Sequence, residues 1–398
     1  MNIVLYKNNK INVQAPTKHS ASFSVTVILL IYMPLYFYYR LLTENVDNAL
    51  IAAVPSIVSV LIMLYLLFKI HSIYKYFKAS YLLLFLGMCF CMMVTVMFTN
   101  SGADSFVQLC TILLCVFLFS YQPLKAKEVS ILFKLFVIGV ILILLNTSDG
   151  SYIQPGKFNP NTGGFLLAML FCVSFSIFMK RRNILYFVMA LICLVLQIYF
   201  ISRTGLLGCI AFLVLMLAFN AAQKTFDYKT IIYAFSILSI LGVFIAYIYS
   251  EVLYPMIGNG VIVIFGKDLF TGRETIWHNA FQSIYENILF GVGNHLNEDL
   301  YNAGQTELVM NAHNQPLGIL AAFGIVVFII FYLLLAVFIS ILYRRNKNVI
   351  SRAPAVFFAV IIIMSYFDIY FFSPYNLLAI LIAYSLIIGT SRRKELKL

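Results

Sequence analysis

Charge is scarce in this chain. Only 11% of its 398 residues are Asp, Glu, Lys or Arg against 62% that are hydrophobic, a balance that excludes an ordinary soluble domain and a disordered chain alike. No stretch matches the G-x-x-x-x-G-K-[ST] phosphate loop, so nothing points to ATP hydrolysis. The seven cysteines, Cys89, Cys91, Cys110, Cys115, Cys172, Cys193 and Cys209, all fall inside apolar runs without paired metal-type spacing. They read as small packing residues, and neither a disulfide nor a zinc site is implied. Glu298-Asp299 is an adjacent acidic pair, unlike the spaced pair of a metal-bound sugar-nucleotide site. No metal or other cofactor is expected, and internal repeats are absent.

What is present is a series of twelve apolar runs, at roughly 23–39, 50–68, 81–98, 105–120, 130–146, 163–179, 184–201, 205–219, 230–250, 317–342, 353–367 and 375–390. Most approach the ~20 residues needed to cross a hydrocarbon core. They predict an all-α polytopic membrane protein of about 12 transmembrane helices, a single transmembrane domain over 1–398. Loop charge alternates along it. Of the 27 basic residues, 21 fall on one side, in clusters around Lys10, Lys75, Lys125, Arg181, Lys224, Arg345 and Arg393. The positive-inside rule makes that side cytoplasmic and places both termini there. The first run lacks a convincing small-residue cleavage site and reads as an uncleaved helix.

Lys134 lies near the inner end of its run and can snorkel, which leaves Arg40, Lys157, Arg203, Lys267 and Arg273 outside. Acidic residues show the reverse bias: apart from Glu128, Asp227 and Glu395, all face out. The net charge of +12 therefore describes a cytoplasmic rim against anionic lipid head groups, and no nucleic-acid partner is implied.

One external segment, residues 251–316, is far longer than a connection needs to be, and such loops are usually functional or disordered. This one has structure written into it. Tyr254 to Gly266 is apolar but too short to cross, as in a re-entrant or interfacial piece. Thr271-Gly272-Arg273-Glu274 has the T-x-x-E form of a capping box, placing a helix start at Thr271. Ile276, Ala280, Ile284 and Ile288 then recur every four residues beside Trp277 and Phe281, with Arg273, His278, Gln282 and Glu286 off that stripe. The pattern predicts an amphipathic helix stopped by Gly291. One reading is a packing helix on the membrane surface. The favoured one is a lid that also contributes Arg273.

The segment closes on Ala312-His313-Asn314-Gln315-Pro316. Asn314 suits an N-cap and Pro316 a first turn, which sets His313 just above a helix N-terminus. Asn161-Thr162-Gly163 opens the run at 163–179, and Ser202 or Thr204 caps that at 205–219. All three helices run inward from the outer face, so their positive ends point out. Converging beneath the long loop with Arg203, Arg273 and a histidine, they would suit a phosphate-bearing ligand. A lone interfacial arginine is more often an anchor, and loop histidines such as His278 and His295 usually carry no chemistry. Gly291-Val292-Gly293-Asn294-His295 forms a turn that could approach a ligand, but Gly-x-Gly alone is no nucleotide fingerprint.

Four blocks resemble the O-antigen polymerase and O-antigen ligase superfamily of bacterial membrane glycosyltransferases. They are Asn159-Pro160-Asn161-Thr162-Gly163-Gly164, Ser202-Arg203-Thr204-Gly205-Leu206-Leu207-Gly208, the run from Thr271-Gly272-Arg273 through Trp277 to Gly291-Val292-Gly293, and His313-Asn314 with Leu317 and Gly324. Gln315-Pro316 departs from the pattern, which often has an aromatic or small residue there. The resemblance implies a GT-C-like enzyme of the bacterial cytoplasmic membrane, its active site facing the periplasm or exterior. It implies a donor glycan on undecaprenyl pyrophosphate, with flippase and chain-length regulator proteins as partners besides the membrane lipids. Arg203 and Arg273 are expected to stabilise the leaving pyrophosphate and His313 to act as base. Asn161, Ser202, Thr204, Trp277, His278, His295 and Asn314 are the candidate substrate contacts. Repeat-unit polymerisation is the favoured activity, with ligation to lipid A core as the alternative. A lipid-linked oligosaccharide flippase is the rival of another class, although the run centres hold almost no charge and no related halves appear.

Overall fold

A computed structural model describes residues 79–121, 124, 126–146, 160–200, 202–221, 228–257, 263–264, 267–268, 273–293, 312–345, 352–372 and 374–391. Its helices are α1 (Ala79–Thr99), α2 (Ala103–Tyr121), α3 (Ala126–Asn146), α4 (Pro160–Arg181), α5 (Ile184–Tyr199), α6 (Arg203–Ala221), α7 (Tyr228–Tyr247), α8 (Arg273–Glu286), α9 (Gln315–Arg345), α10 (Ala353–Met364) and α11 (Pro374–Ser391). Ten of them match apolar runs in order, and α8 is the amphipathic helix of the long loop. The runs at 23–39 and 50–68 and both termini lie outside the described residues. Among the described residues five helices are long and apolar enough to cross a membrane, α5, α6, α10 and α11 being shorter apolar helices. These residues form a multi-pass helical membrane bundle, with one minimal antiparallel pairing of β1 (Val263–Ile264) with β2 (Lys267–Asp268).

Lipid exposure sorts the bundle. On α1, α5 and α7, large apolar residues such as Phe90, Ile192 and Phe244 are exposed along one face, as expected where the solvent is hydrocarbon. Helices α10 and α11 are buried almost throughout. Around them, α4 packs on α5, α6 and α11, and α9 packs on α1, α2 and α7. At the basic end, Lys180 donates to the carbonyl of Thr390 and Arg352 to that of Phe219, tying helix ends on the side that the charge count makes cytoplasmic.

Two boundaries differ from expectation. Helix α7 runs on through a π-helical stretch, Ile248–Leu253, to Tyr254–Met256, so the start of the supposed re-entrant piece is helix. The pairing of Glu251 with Ser250 and His278 holds that stretch in place. The first helical residue of α8 is Arg273, and Thr271, the expected cap, lies outside the described residues. Helix α8 ends at Glu286 and leaves Ile288 exposed, because the chain from Ile288 to Gly293 is spent on another contact.

That contact explains two of the sequence blocks. Helix α9 breaks at Gly324, whose φ of 77° and ψ of 177° are closed to other residues. Into the break fits the Gly291-Val292-Gly293 segment: the N–H groups of Val292 and Gly293 donate to Ala321 and Ala322, and that of Ile325 donates to Ile288. Thr95 of α1 adds a 2.6 Å bond to the Phe290 carbonyl. A Cβ at Gly324 would stand 2.1 Å from the Leu289 oxygen. Gly324→Ala is therefore expected to cost at least ~1–3 kcal/mol in backbone strain alone, read as earlier thermal aggregation of the detergent-solubilised protein. A melting profile identical to wild type would show the break to be dispensable.

Candidate active site

Ser202 caps α6. Its Oγ accepts from the Gly205 N–H at 3.3 Å, a cap worth ~0.5–2 kcal/mol, and the choice left open between Ser202 and Thr204 falls to Ser202. The same hydroxyl lies against α4, where a Cβ on Gly164 would meet it at 1.7 Å. Gln197, fully buried on α5, donates its amide to the Gly164 carbonyl at 2.5 Å. The glycines of the first two blocks thus let the outer ends of α4 and α6 touch, and Arg203, half-buried at the first position of α6, stands at that junction.

One residue further along α4, Phe165 stacks on Tyr370 with ring centroids 4.2 Å apart. Tyr370 belongs to the 365–372 connection between α10 and α11, which also holds Asp368. Burial pushes its phenol well above the ordinary range; the Asp368 charge adds to the rise and the Arg273 guanidinium opposes it. The Arg273 charge is thus felt at the same hydroxyl as that of Asp368. Contacts run from Ser202 to Gly164 and, one residue on, from Phe165 to Tyr370.

His313 completes the group. Its backbone sits in the left-handed region at φ 44°, a conformation histidine tolerates better than most residues yet at a cost of order 1–3 kcal/mol. Both neighbours are fixed. The Ala312 carbonyl accepts the Trp277 indole N–H at 2.7 Å. Asn314 caps α9 by accepting from the Leu317 N–H at 3.0 Å, while its amide donates to the Gly242 carbonyl of α7 at 2.9 Å. The His313 ring is 34% exposed, but Nδ1 is buried and 3.6 Å from Asp368 Oδ1. That is too long for a hydrogen bond. With the carboxylate beside Nδ1, an Nδ1–H tautomer would make Nε2 the nitrogen that accepts a proton.

The other expected contacts divide. Trp277 and Asn314 are fully buried, with their polar groups committed to backbone, so they support the site from behind. His278 pairs with Glu251 at 3.0 Å on the exposed side of α8. Thr204 is half-buried beside Arg203. The backbone of Asn161 lies in the first turn of α4; its side chain, and all of His295, lie outside the described residues. Helix α8 packs on the bundle and is tied near its start by Trp277 and beyond its end by the glycine segment. Asp368 was missed by sequence reasoning, its only signal being an acid in the external connection after 353–367. No three His, Cys, Asp or Glu residues among those described are grouped to hold a metal ion.

Residues 188–332 match the family model described as O-antigen ligase, which takes in Arg203, Arg273 and His313. No curated protein matches the chain. The match bears out the recognition of the O-antigen ligase and polymerase superfamily and takes in three of its four blocks, the block at residues 159–164 lying before it.

Proposed function

We propose that this membrane protein is a glycosyltransferase that polymerises polysaccharide repeat units on the outer face of the cytoplasmic membrane. The donor glycan is carried on undecaprenyl pyrophosphate, and the acceptor is a sugar hydroxyl of another lipid-linked repeat. The observation that carries the reading is the approach of His313 to Asp368 at the capped N-terminus of α9, on a connection whose Tyr370 stacks on Phe165 near the start of α4. Such a place combines a base with donors for a developing pyrophosphate charge. The acceptor oxygen attacks the anomeric carbon and passes its proton to His313 Nε2. The bond from that carbon to the pyrophosphate oxygen breaks with its electron pair, and Arg203 and Arg273 meet the charge of the leaving lipid pyrophosphate. Two guanidiniums and three helix ends supply this stabilisation without a metal ion.

Transfer of the finished chain to lipid A core or another acceptor is a second reading, favoured by the description of the matching family model. The transport reading lacks its usual support. Among the described residues the buried charged side chains are Glu274 and Arg352, at the first turn of α8 and just before α10, whereas transporters place such groups at mid-membrane. The test is reconstitution of the purified protein with lipid-linked repeat units, with and without chelator, and with lipid A core offered in parallel. Longer lipid-linked chains unaffected by chelator are expected. Failure to convert any donor would sink the enzymatic reading, and exclusive modification of the core would replace polymerase with ligase.

A further inference from the structure

Gln315, which with Pro316 departs from the superfamily pattern, makes two side-chain hydrogen bonds at the entrance to α9. It is fully buried, and its Oε1 accepts two backbone N–H groups of the 365–372 connection, from Tyr370 at 3.0 Å and from Phe371 at 2.8 Å. Its own N–H donates to the Ser365 carbonyl at 2.7 Å. From the opposite side, with its amide nitrogen turned toward the connection, Gln108 of α2 donates to the Phe371 and Phe372 carbonyls at 3.2 and 2.8 Å. Two buried glutamines therefore hold both ends of the turn that carries Asp368, and Gln315 lies only two residues beyond His313. Without its oxygen, two buried N–H groups lose their acceptor, which the turn can relieve only by moving.

We propose that Gln315 is a positioning residue: through the 370–371 backbone it holds Asp368 against His313 and so keeps the imidazole in the orientation that accepts the proton. The proposal rests on the function given above. It uses only the oxygen of the side chain, since Nε2 is buried and has no partner.

The assay is chain lengthening by the reconstituted full-length protein. Gln315→Met is expected to lower kcat about 10- to 100-fold, as a displacement near 1 Å at a reacting group does, with KM for the lipid-linked donor unchanged. Gln315→Glu retains an oxygen acceptor for the two N–H groups and is expected to lose clearly less than Gln315→Met, although its buried carboxyl costs some activity. Asp368→Asn lowers kcat, and the double variant Gln315→Met with Asp368→Asn is no slower than the poorer single one, because both remove the same effect. Additive losses, a wild-type rate for Gln315→Met, or a glutamate variant as poor as the methionine one would each overturn the role. Should Gln315→Met not be recovered folded, Gln315→Asn, one methylene short of the turn, reads the same loss. His313→Ala is run alongside: full activity there defeats the functional reading, whereas its loss with additive Gln315 effects defeats the positioning role alone.

Discussion

Alanine at position 313 is expected to slow glycan transfer by ~10²–10⁴-fold, the range that general-base assistance supplies, while the protein still inserts and folds. Removing the ring should be tolerated: a third of it is exposed, and its buried nitrogen makes no hydrogen bond. The backbone is less forgiving, because alanine at φ 44° is strained by roughly 1–2 kcal/mol. His313→Asn separates the two effects, since asparagine tolerates that conformation but offers no base near neutral pH. Both variants are expected to be equally inactive in chain lengthening and to elute as folded protein in detergent. Polymer made at the wild-type level by either would remove His313 from the mechanism.

The second large effect is expected at Arg203. Lysine keeps the charge but gives up the planar fork that grips a phosphate by two parallel bonds, so Arg203→Lys should lose ~10²–10³ in kcat, the cost of deleting one aimed donor. A side chain that merely anchored the outer end of α6 at the membrane boundary would be replaced by lysine without penalty, because both side chains reach the head groups. Full complementation of a deletion strain by the lysine variant would reduce Arg203 to that anchor.

What could be read from the chain beforehand follows from the kind of force involved. Burial in hydrocarbon and loop charge act residue by residue, so the runs that became α1–α7 and α9–α11 were visible, as was the stripe of α8. Caps are equally local: Asn314 and Ser202 lie where their side chains and spacing put them. Contacts between distant backbones leave a fainter trace. The segment at Gly291–Gly293 and the break at Gly324 show only as glycines, and no side-chain pattern announces that one fits the other. Asp368 was one acid among a dozen on its face, and its value comes from a turn held by Gln108 and Gln315, two amides that a sequence presents as isolated polar residues. Trp277 was visible as a candidate substrate contact, but nothing in its spacing announced that its indole N–H donates to the Ala312 carbonyl, the peptide before His313.

The break at Gly324 also sets a height. The part of α9 beyond it, Ile325–Arg345, rises ~1.5 Å per residue, which already matches the ~30 Å thickness of a bilayer core. The nine residues from Gln315 to Phe323 set His313 ~13 Å from the break, at the end of the candidate span and beside the Gly242 carbonyl that Asn314 holds on α7. On the function proposed above, the base would meet its donor at the end of a membrane-spanning helix, so a carrier lipid could keep its chain among the acyl tails while its pyrophosphate reaches the boundary.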